Sequence, residues 1–380
     1  MTLAAIICEY NPFHNGHKFH IEETRRQTKA DGVVAIMSGN LVQRGDIAVF
    51  DKTVRAKAAV LGGADLVIEL PAAYSSASAE FFGTNAVKIL NALGIIDYLS
   101  FGTENADTDT LIKIAKFLAA EPLELSAAIK RNISDGLSYP TARSRAVGEI
   151  LGKEYEDILN TPNNILGIEY CKALNAVNSP IKPCPILRRG AAHDSKVASE
   201  NIASATYIRE LIQGGKDTTQ FIPDFAAEIY KTAKVHSLKV LEKAILAQLI
   251  KTPAEELKNI ADVTEGLENR IKDAALVSDT LEELLDNIKT KRYTHSRIRR
   301  IVLSAYFGIT DEMRRAEPQY INILAHNEKG QKIIANAKKT VALPIVRNTS
   351  QVNRLKNPLI KSLWERERIF DKIYKFTETQ

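Results

Sequence analysis

The sequence has 380 residues, a hydrophobic content of 45% and a formal net charge of +5, values typical of a globular chain with one elaborated domain or two. Its three cysteines, Cys8, Cys171 and Cys184, form no Cys-x-x-Cys pair, so neither a disulfide framework nor a zinc ribbon is indicated. No apolar run is long enough to span a membrane, and no basic region precedes the first apolar stretch as in a signal peptide. We therefore expect a cytoplasmic protein without a membrane partner, and the sequence indicates no protein partner.

Charge is distributed unevenly along the chain. Residues 289–380 contain 20 Lys/Arg against 8 Asp/Glu, whereas the rest of the chain contains 31 against 38. A basic C-terminal quarter on an acidic body indicates a polyanionic partner, with nucleic acid as the first candidate. The alternative is a solvated helical surface that is rich in lysine.

The first hundred residues alternate strand-like and helix-like segments. Apolar runs predict strands at 3–7, 33–37, 66–70 and 98–101, and helical periodicity predicts helices at 18–28, 51–61 and 77–93. Strands separated by helices of this length form a parallel sheet with right-handed crossovers, so we predict an α/β fold with a Rossmann-like sheet. Ligands bind beyond the carboxyl ends of such strands, which places residues 9–17, 38–40 and 102–104 around one crevice.

The rest of the chain is mostly helical in pattern. Residues from about 107 to 160 are helical and more polar, and they resemble an insertion between sheet elements. A helix at 165–177 and a short strand at 183–187 follow. Gly214 and Gly215 mark a boundary, so we predict a sheet-containing domain over 1–215 and a mainly α-helical, basic domain over 216–380. Within the second domain, residues 340–346 are predicted to form a lone strand.

The turn after the first strand contains His14 and His17, which share one face of a helix start. The N-terminus of a helix offers unpaired N–H groups and partial positive charge, which suit a phosphate group. His20 extends the series by a turn, but no cysteine or acidic cluster completes a metal ligand set, so we predict no metal ligands here. The plainer alternative is that these are ordinary surface or core histidines.

A second motif, Ser204-x-Thr206-x-x-Arg209, lies at another predicted helix start. By itself it is an ordinary N-cap, but it also suits a phosphate, with hydroxyl and N–H groups holding the oxygens and Arg209 neutralising their charge. Together with His-x-Gly-His, it resembles the signature of the nucleotidyltransferase superfamily.

The resemblance can be narrowed by several longer motifs. They are Glu-Tyr-Asn-Pro-Phe-His-Asn-Gly-His at 9–17, Met-Ser-Gly-Asn with Gln-Arg-Gly at 37–45, Asp-Leu-Val-Ile-Glu-Leu-Pro at 65–71, Phe-Gly-Thr-Glu at 101–104, Pro-Asn-Asn-Ile-Leu-Gly at 162–167, and Lys-Arg-Tyr-Thr-His-Ser-Arg at 291–297. Together they resemble the bacterial tRNA(Met) cytidine acetate ligase family, over residues 3 to about 301. The resemblance implies that ATP and acetate form acetyl-adenylate and pyrophosphate. The acetyl group then passes to N4 of the wobble cytidine of elongator tRNA(Met), giving N4-acetylcytidine.

The resemblance also implies the residues that act. His14 and His17 would stabilise the α-phosphate, Ser204, Thr206 and Arg209 would hold the β- and γ-phosphates, and Mg²⁺ is expected with ATP. The implied ATP contacts are Ile7, Cys8, Glu9, Tyr10, Asn11, Pro12, Phe13, His14, Asn15, Gly16, His17, Lys18, Phe19, His20, Gly102, Asn163, Arg188 and Arg189.

Other charged residues remain open candidates. Lys18, Arg44, Lys52 and Arg55 could line the acetate or nucleotide pocket or could be surface charges, and Glu9 or Asp51 could assist removal of the N4 proton.

In the basic C-terminal region, contacts to RNA phosphates are predicted for Lys291, Arg292, Arg297 and Arg300, the arginines lying on one helix. Tyr293, His295 or Trp364 could stack on a base, although a core position is favoured for Trp364.

Two other functions fit part of the sequence. A nucleotidyltransferase acting on a small phosphorylated metabolite needs only the two motifs, but it leaves the basic helical half unexplained. A non-catalytic RNA-binding protein is disfavoured because both motifs are intact.

Overall fold

The structure, a computed structural model, describes residues 1–104, 107–188, 201–264 and 266–379. Arg189, an implied ATP contact, lies outside these residues. The strands are β1 (Leu3–Cys8), β2 (Gly32–Ser38), β3 (Leu41–Val42), β4 (Asp46–Ile47), β5 (Leu66–Leu70), β6 (Tyr98–Thr103), β7 (Lys182–Leu187), β8 (Ile321–His326) and β9 (Ile345–Val346). The four strands predicted in the first hundred residues and the strand predicted at 183–187 are therefore confirmed.

Helices make up most of the remaining structure. They are α1 (Asn15–Thr28), α2 (Lys52–Leu61), α3 (Ala72–Ser75), α4 (Ala79–Leu93), α5 (Thr108–Ala120), α6 (Leu123–Ser134), α7 (Tyr139–Leu151), α8 (Lys153–Leu159), α9 (Pro162–Ala176), α10 (Ala205–Gln213), α11 (Asp224–Tyr230), α12 (Glu242–Lys251), α13 (Ala254–Leu257), α14 (Leu267–Val277), α15 (Leu281–Ile288), α16 (His295–Phe307), α17 (Asp311–Arg315), α18 (Glu328–Ala337), α19 (Thr349–Arg354) and α20 (Pro358–Tyr374). Short 3₁₀ helices lie at Leu238–Leu241 and Lys375–Thr377. Among the described residues, no helix is both long and apolar enough to cross a membrane.

The main sheet has the strand order β7-β6-β1-β2-β5-β8-β9. Strands β7, β6, β1, β2 and β5 run parallel, which confirms the predicted α/β class. Alternate side chains of β2 pack into two different hydrophobic clusters, with Val34 and Ile36 on one face and Val33 and Ala35 on the other. Because helices cover both faces, the strand reads as a continuous apolar run.

The C-terminal part of the chain returns to the sheet, which its largely helical periodicity does not predict. Strand β8 pairs antiparallel with β5, and β9 pairs parallel with β8 through Ile321 and Ile345. The strand expected at 340–346 is therefore shorter than predicted and is not alone. Strand β8 has six residues and β9 has two, so both are too short for their periodicity to stand out from the helices around them.

Within the predicted helical region, most buried apolar residues between 241 and 302 form a separate hydrophobic cluster. Ile245 and Leu249 of α12, Ile271 of α14, Leu284 of α15 and Ile301 of α16 belong to it. The insertion predicted at 107–160 corresponds to α5 through α8. The domain division at residue 215 stays a prediction, with β8 as a link back to the first part of the chain.

Candidate active site

The main cavity lies beyond the carboxyl ends of β1, β6 and β7, where parallel-sheet proteins bind ligands. It is lined by Ile6, Ile7, Cys8, Glu9, Tyr10, Asn11, His14, Gly16, His17, Phe19, His20, Gln43, Arg44, Phe82, Phe101, Gly102, Asn163, Leu166, Tyr170, Ile186, Leu187, Arg188, Ile202, Ala203, Ala205 and Arg209. Most of the ATP contacts implied by the sequence are therefore brought together at one place. Of the aromatic and aliphatic lining, Ile7, Tyr10 and Phe19 were among the implied contacts. Phe101 and Leu166 were not, because nothing local marks an apolar residue as lining a cavity.

The two histidines hold each other in place at the start of α1. His14 is the N-cap of the helix, and its Nδ1 accepts a hydrogen bond from the Gly16 N–H at 3.1 Å. The His17 Nδ1 accepts from the His14 N–H at 3.3 Å, which gives the reciprocal pattern of a capping box. The two rings stack with centroids 3.7 Å apart. Because Nδ1 of His14 is an acceptor, the proton of the neutral ring lies on Nε2 and is available as a donor.

All three histidines of this segment are neutral near pH 7. Burial, with the nearby charges of Arg188 and Arg209, lowers the pKa of His14 to about 3. Burial followed by the charge of Arg188 lowers the pKa of His20 to about 4, and the pKa of His17 is lowered well below its ordinary value by burial and by its neighbour His14. The histidines can therefore donate hydrogen bonds, while the arginines supply the positive charge.

This depression of pKa makes stability sensitive to mild acid. A histidine in the unfolded chain takes up a proton below pH about 6.5, whereas His20 in the folded protein stays neutral down to its pKa of about 4. Its contribution to stability is therefore present above pH about 6.5 and is lost as the pH falls, by up to about 1.4 kcal/mol per pH unit. In urea unfolding between pH 7.5 and 5.5, we expect the free energy of unfolding to fall less steeply in H20Q than in the unmodified protein. Parallel curves would contradict this expectation.

The second motif is joined to the first by Arg209. The Arg209 Nη1 donates to the carbonyl oxygen of Asn11 at 2.9 Å, and its Nη2 donates to the Thr206 Oγ1 at 3.1 Å. Ser204 is the N-cap of α10, and its Oγ accepts from the Tyr207 N–H at 3.2 Å. Of this motif, Arg209 lines the main cavity, whereas Ser204 and Thr206 are not part of its lining. The N-terminus of α10 is thus fixed beside the turn that contains the histidines.

Across the cavity, Glu104, which the sequence placed near the crevice without a role, holds the start of α9. The two oxygens of Glu104 accept from the N–H groups of Asn163 at 3.3 Å and Asn164 at 3.0 Å, which caps the start of α9. Glu104 also accepts from the side-chain amide of Asn163. Arg188 packs against Gly102, where an added Cβ would lie 3.1 Å from the Arg188 Cγ. Burial lowers the pKa of Arg188, and the charge of Glu104 opposes that effect.

Of the implied ATP contacts that the structure describes, four do not line the main cavity: Pro12, Phe13, Asn15 and Lys18. Phe13 is fully buried in the core. The Asn15 side chain donates to the carbonyl oxygens of Asn201 at 3.0 Å and Gln220 at 3.1 Å. Lys18 is half exposed and lies 3.9 Å from Glu22. These residues shape the turn or cover its outer side.

The open charged candidates also separate in the structure. Arg44 lines the main cavity. Lys52 forms buried ion pairs with Glu69 at 2.6 Å and Asp371 at 2.7 Å. Arg55 has no exposed surface, and it donates to backbone carbonyls, among them that of Phe50 at 2.8 Å. Lys52 and Arg55 therefore support the loops beneath the site and are not part of the pocket wall.

The two residues proposed to assist proton removal lie in different places. Glu9 lines the main cavity, and its Oε1 accepts from the Gln43 N–H at 2.7 Å. Asp51 does not line the cavity; it is the N-cap of α2 and accepts from the Thr53 N–H at 2.8 Å.

The four predicted RNA contacts differ in how exposed they are. Lys291 and Arg292 are exposed, and Arg292 precedes α16 instead of lying on it. Arg297 donates to the Asp262 carbonyl oxygen at 3.1 Å and stacks over the Tyr293 ring. Arg300 is buried, with 8% of its surface exposed, so it does not suit contact with a phosphate and the prediction for this residue is corrected.

Other side chains of this region also have clear positions. Arg299, which was not among the predicted RNA contacts, is exposed on α16. Trp364 is partly buried against a small hydrophobic cluster, where it packs edge-on against Tyr320 and donates to the Thr349 Oγ1 at 3.1 Å.

Comparison with known proteins gives matches along the entire chain. A family model described as HIGH nucleotidyl transferase matches residues 1–380. The tRNA(Met) cytidine acetate ligase of Acetivibrio thermocellus is 38% identical, covering 98% of this chain and 94% of the relative. That of Caldanaerobacter subterraneus subsp. tengcongensis is 41% identical, covering 92% and 90%.

Solved structures agree with these relatives. The crystal structure of Thermotoga maritima TmcAL in its apo form I superposes with a TM-score of 0.94 at 30% identity, covering 100% of this chain and 96% of the other. TmcAL of the same organism bound with alpha-thio ATP, form II, gives a TM-score of 0.89 at 31% identity, covering 100% and 95%.

Proposed function

Because the chain belongs to the tRNA(Met) cytidine acetate ligase family, we propose that it activates acetate with ATP and acetylates N4 of the wobble cytidine of elongator tRNA(Met). The observation that carries this proposal is the joining of the two phosphate-binding motifs by Arg209, which reaches from α10 to the Asn11 carbonyl beside the histidines. Residues 1–215 would contain the catalytic site and residues 216–380 would bind the tRNA. We place this activity in the cytoplasm, where tRNA is modified.

The first step, attack of acetate on ATP, depends more on neutralising the charge of the phosphates than on a general base. An acetate oxygen attacks the α-phosphorus, a new P–O bond forms, and the bond to the bridging oxygen breaks so that pyrophosphate leaves. The Nε2–H of neutral His14 suits donation to an α-phosphate oxygen, with His17 holding it in place. Arg209 and Arg188 suit the charge of the phosphates and of the acetate.

Mg²⁺ fits this site as a partner of ATP. Among the described residues, the wall of the main cavity includes one carboxylate, Glu9, and the same part of the chain contains no group of three or more His, Cys, Asp or Glu that could hold a metal ion. Mg²⁺ is commonly held by substrate phosphates and water with few protein ligands. We therefore expect it to enter with the triphosphate and to neutralise part of its charge.

The direct test is acetate-dependent exchange of labelled pyrophosphate into ATP, followed by mass spectrometry of digested tRNA. The proposal predicts exchange that needs acetate, and N4-acetylcytidine in tRNA(Met) after incubation with ATP and acetate. Exchange that needs a phosphorylated metabolite and ignores acetate would favour the metabolite nucleotidyltransferase. RNA binding without any exchange would favour a non-catalytic protein.

The RNA-binding region can be tested by the dependence of binding on salt. Lys291 and Arg292 are exposed and adjacent, so K291A/R292A is expected to weaken tRNA binding and to reduce the slope of log K against log salt by about 1–2. The matched control is K338A/K339A, which removes the same charge from exposed positions at the end of α18. An equal loss of slope in both variants would mean that residues 291–292 have no special part in binding.

A further inference from the structure

The backbone N–H groups at the start of α1 are satisfied within the protein. Two of them belong to the capping box of the histidines. The Asn15 N–H donates to the Phe221 carbonyl oxygen at 2.9 Å, and the Phe13 N–H donates to the Tyr230 hydroxyl oxygen at 3.0 Å. A helix start usually offers such groups to a phosphate. Here the His14 imidazole, and not the backbone, is the donor that this turn can offer, so the position of that ring decides the contact.

Both outside partners of the turn come from a segment that follows the predicted domain boundary at residue 215. We call residues 221–230, which end with α11, the clamp segment. Its buried apolar side chains belong to the same hydrophobic cluster as Tyr10 and Phe13. The Phe225 ring lies 6.1 Å from the Phe13 ring, measured between their centroids. The clamp segment therefore packs against the histidine turn, although it is far away in the chain.

Tyr230, the last residue of α11, is fixed by its ring. The ring stacks on that of Phe50, with centroids 4.3 Å apart and planes inclined by 13°. The Phe50 carbonyl oxygen in turn accepts from the Arg55 Nε at 2.8 Å, so the residue beneath the tyrosine is itself held in place. Tyr230 does not line the main cavity. Any effect of its hydroxyl on a bound substrate must therefore pass through the turn.

We propose that Tyr230 is a positioning residue for the activation of acetate: by accepting the Phe13 N–H, its hydroxyl fixes the turn from which His14 donates to the α-phosphate. This inference rests on the proposed function and deepens it by assigning a residue that acts through the turn. The Phe13 N–H precedes His14 and the Asn15 N–H follows it, so the clamp segment holds the backbone on both sides of the histidine. A displacement of about 1 Å at a reacting group can lower a rate by about 10²-fold.

The first test is Y230F, which removes the hydroxyl and leaves the stacked ring. We expect the kcat of acetate-dependent pyrophosphate exchange to fall by about 10–100-fold, with a change of less than about threefold in the KM for ATP. The matched control is Y74F in α3, which removes a hydroxyl that donates to the Ala316 carbonyl oxygen at 2.8 Å, outside the main cavity. Both variants are expected to show a small fall in Tm, but only Y230F is expected to exchange slowly. Equal exchange in the two variants would overturn the proposal.

The second test asks whether the hydroxyl acts through the His14 ring. H14A has no imidazole at this position, so adding Y230F is expected to lower its remaining exchange by less than about twofold. In the unmodified protein the same change is expected to have its full effect. Losses that multiply in Y230F/H14A would show that the hydroxyl only supports the fold, and they would overturn the assignment.

The same measurements separate a failure of this inference from a failure of the proposed function. If the unmodified protein shows no acetate-dependent exchange, the proposed function fails and the role of Tyr230 fails with it. If the unmodified protein exchanges and Y230F exchanges equally well, the proposed function stands and only the role of Tyr230 is overturned.

Discussion

Replacement of His17 by alanine is expected to lower the rate of acetate-dependent pyrophosphate exchange by about 10²–10³-fold, the usual cost of losing one donor to developing charge, because the His14 donor is then no longer held in place. His17 accepts the His14 N–H and stacks on the His14 ring, so the variant loses one imidazole and frees the other. Exchange at saturating ATP and acetate measures the effect on the chemical step. The KM for ATP is expected to change less than the rate, because the interaction matters most in the transition state.

Glutamine at position 17 distinguishes the structural role of His17, its hydrogen bond to the His14 N–H, from the role of its imidazole in catalysis. Gln is a natural residue at the third position of a capping box, so H17Q is expected to recover the hydrogen bond to the His14 N–H and the stability that H17A loses. Its exchange rate is expected to stay low, since the imidazole is absent. Recovery of the rate in H17Q would show that His17 acts only through the backbone. The control H326A removes a partly exposed histidine of β8, outside the main cavity, and is expected to exchange normally.

Replacement of Lys52 by methionine is expected to destabilise the protein by about 3–5 kcal/mol, the range found when one partner of a buried ion pair is removed. Lys52 lies between Glu69 and Asp371. The pKa of the nearby Glu367 carboxyl is already raised by burial and by the charge of Glu69, so the loss of Lys52 leaves a group of buried carboxylates uncompensated. Chemical denaturation measures the change in the free energy of unfolding.

Two further variants test whether the loss of stability in K52M comes from the buried charges. K18M removes a half-exposed lysine and is expected to change the free energy of unfolding by less than about 0.5 kcal/mol. In K52M/E69Q the buried charges at both positions are removed together, and part of the lost stability is expected to return. If K52M remained as stable as K18M but raised the KM for acetate, Lys52 would belong to the substrate pocket after all.

Much of the site could be read from local patterns. Strands β1, β2 and β5 appear as apolar runs because helices cover both of their faces. The turns that follow the parallel strands must share one edge of the sheet. His14 and His17 are related by helical spacing, and Ser204 and Arg209 by the form of an N-cap. Such relationships involve neighbours in the chain, so residue type and spacing suffice to predict them.

Contacts between distant parts of the chain could not be read in this way. Lys52 and Asp371 are 319 positions apart in the sequence, and Gly45 meets the backbone of α16 without any motif that joins the two. Burial also excludes Arg55 from the pocket wall and Arg300 from contact with RNA. Sequence alone could not show this, because a buried arginine and one that faces RNA look alike in sequence.

The sequence by itself determined the α/β class, the two phosphate-binding motifs and the basic character of the C-terminal region, because each follows from periodicity, spacing or composition. The tertiary structure alone decided that β8 returns to the sheet and that Lys52 and Arg55 are structural. The physical reason is that a buried charge or a cavity wall is defined by what packs against it, and here those partners come from residues far away in the chain.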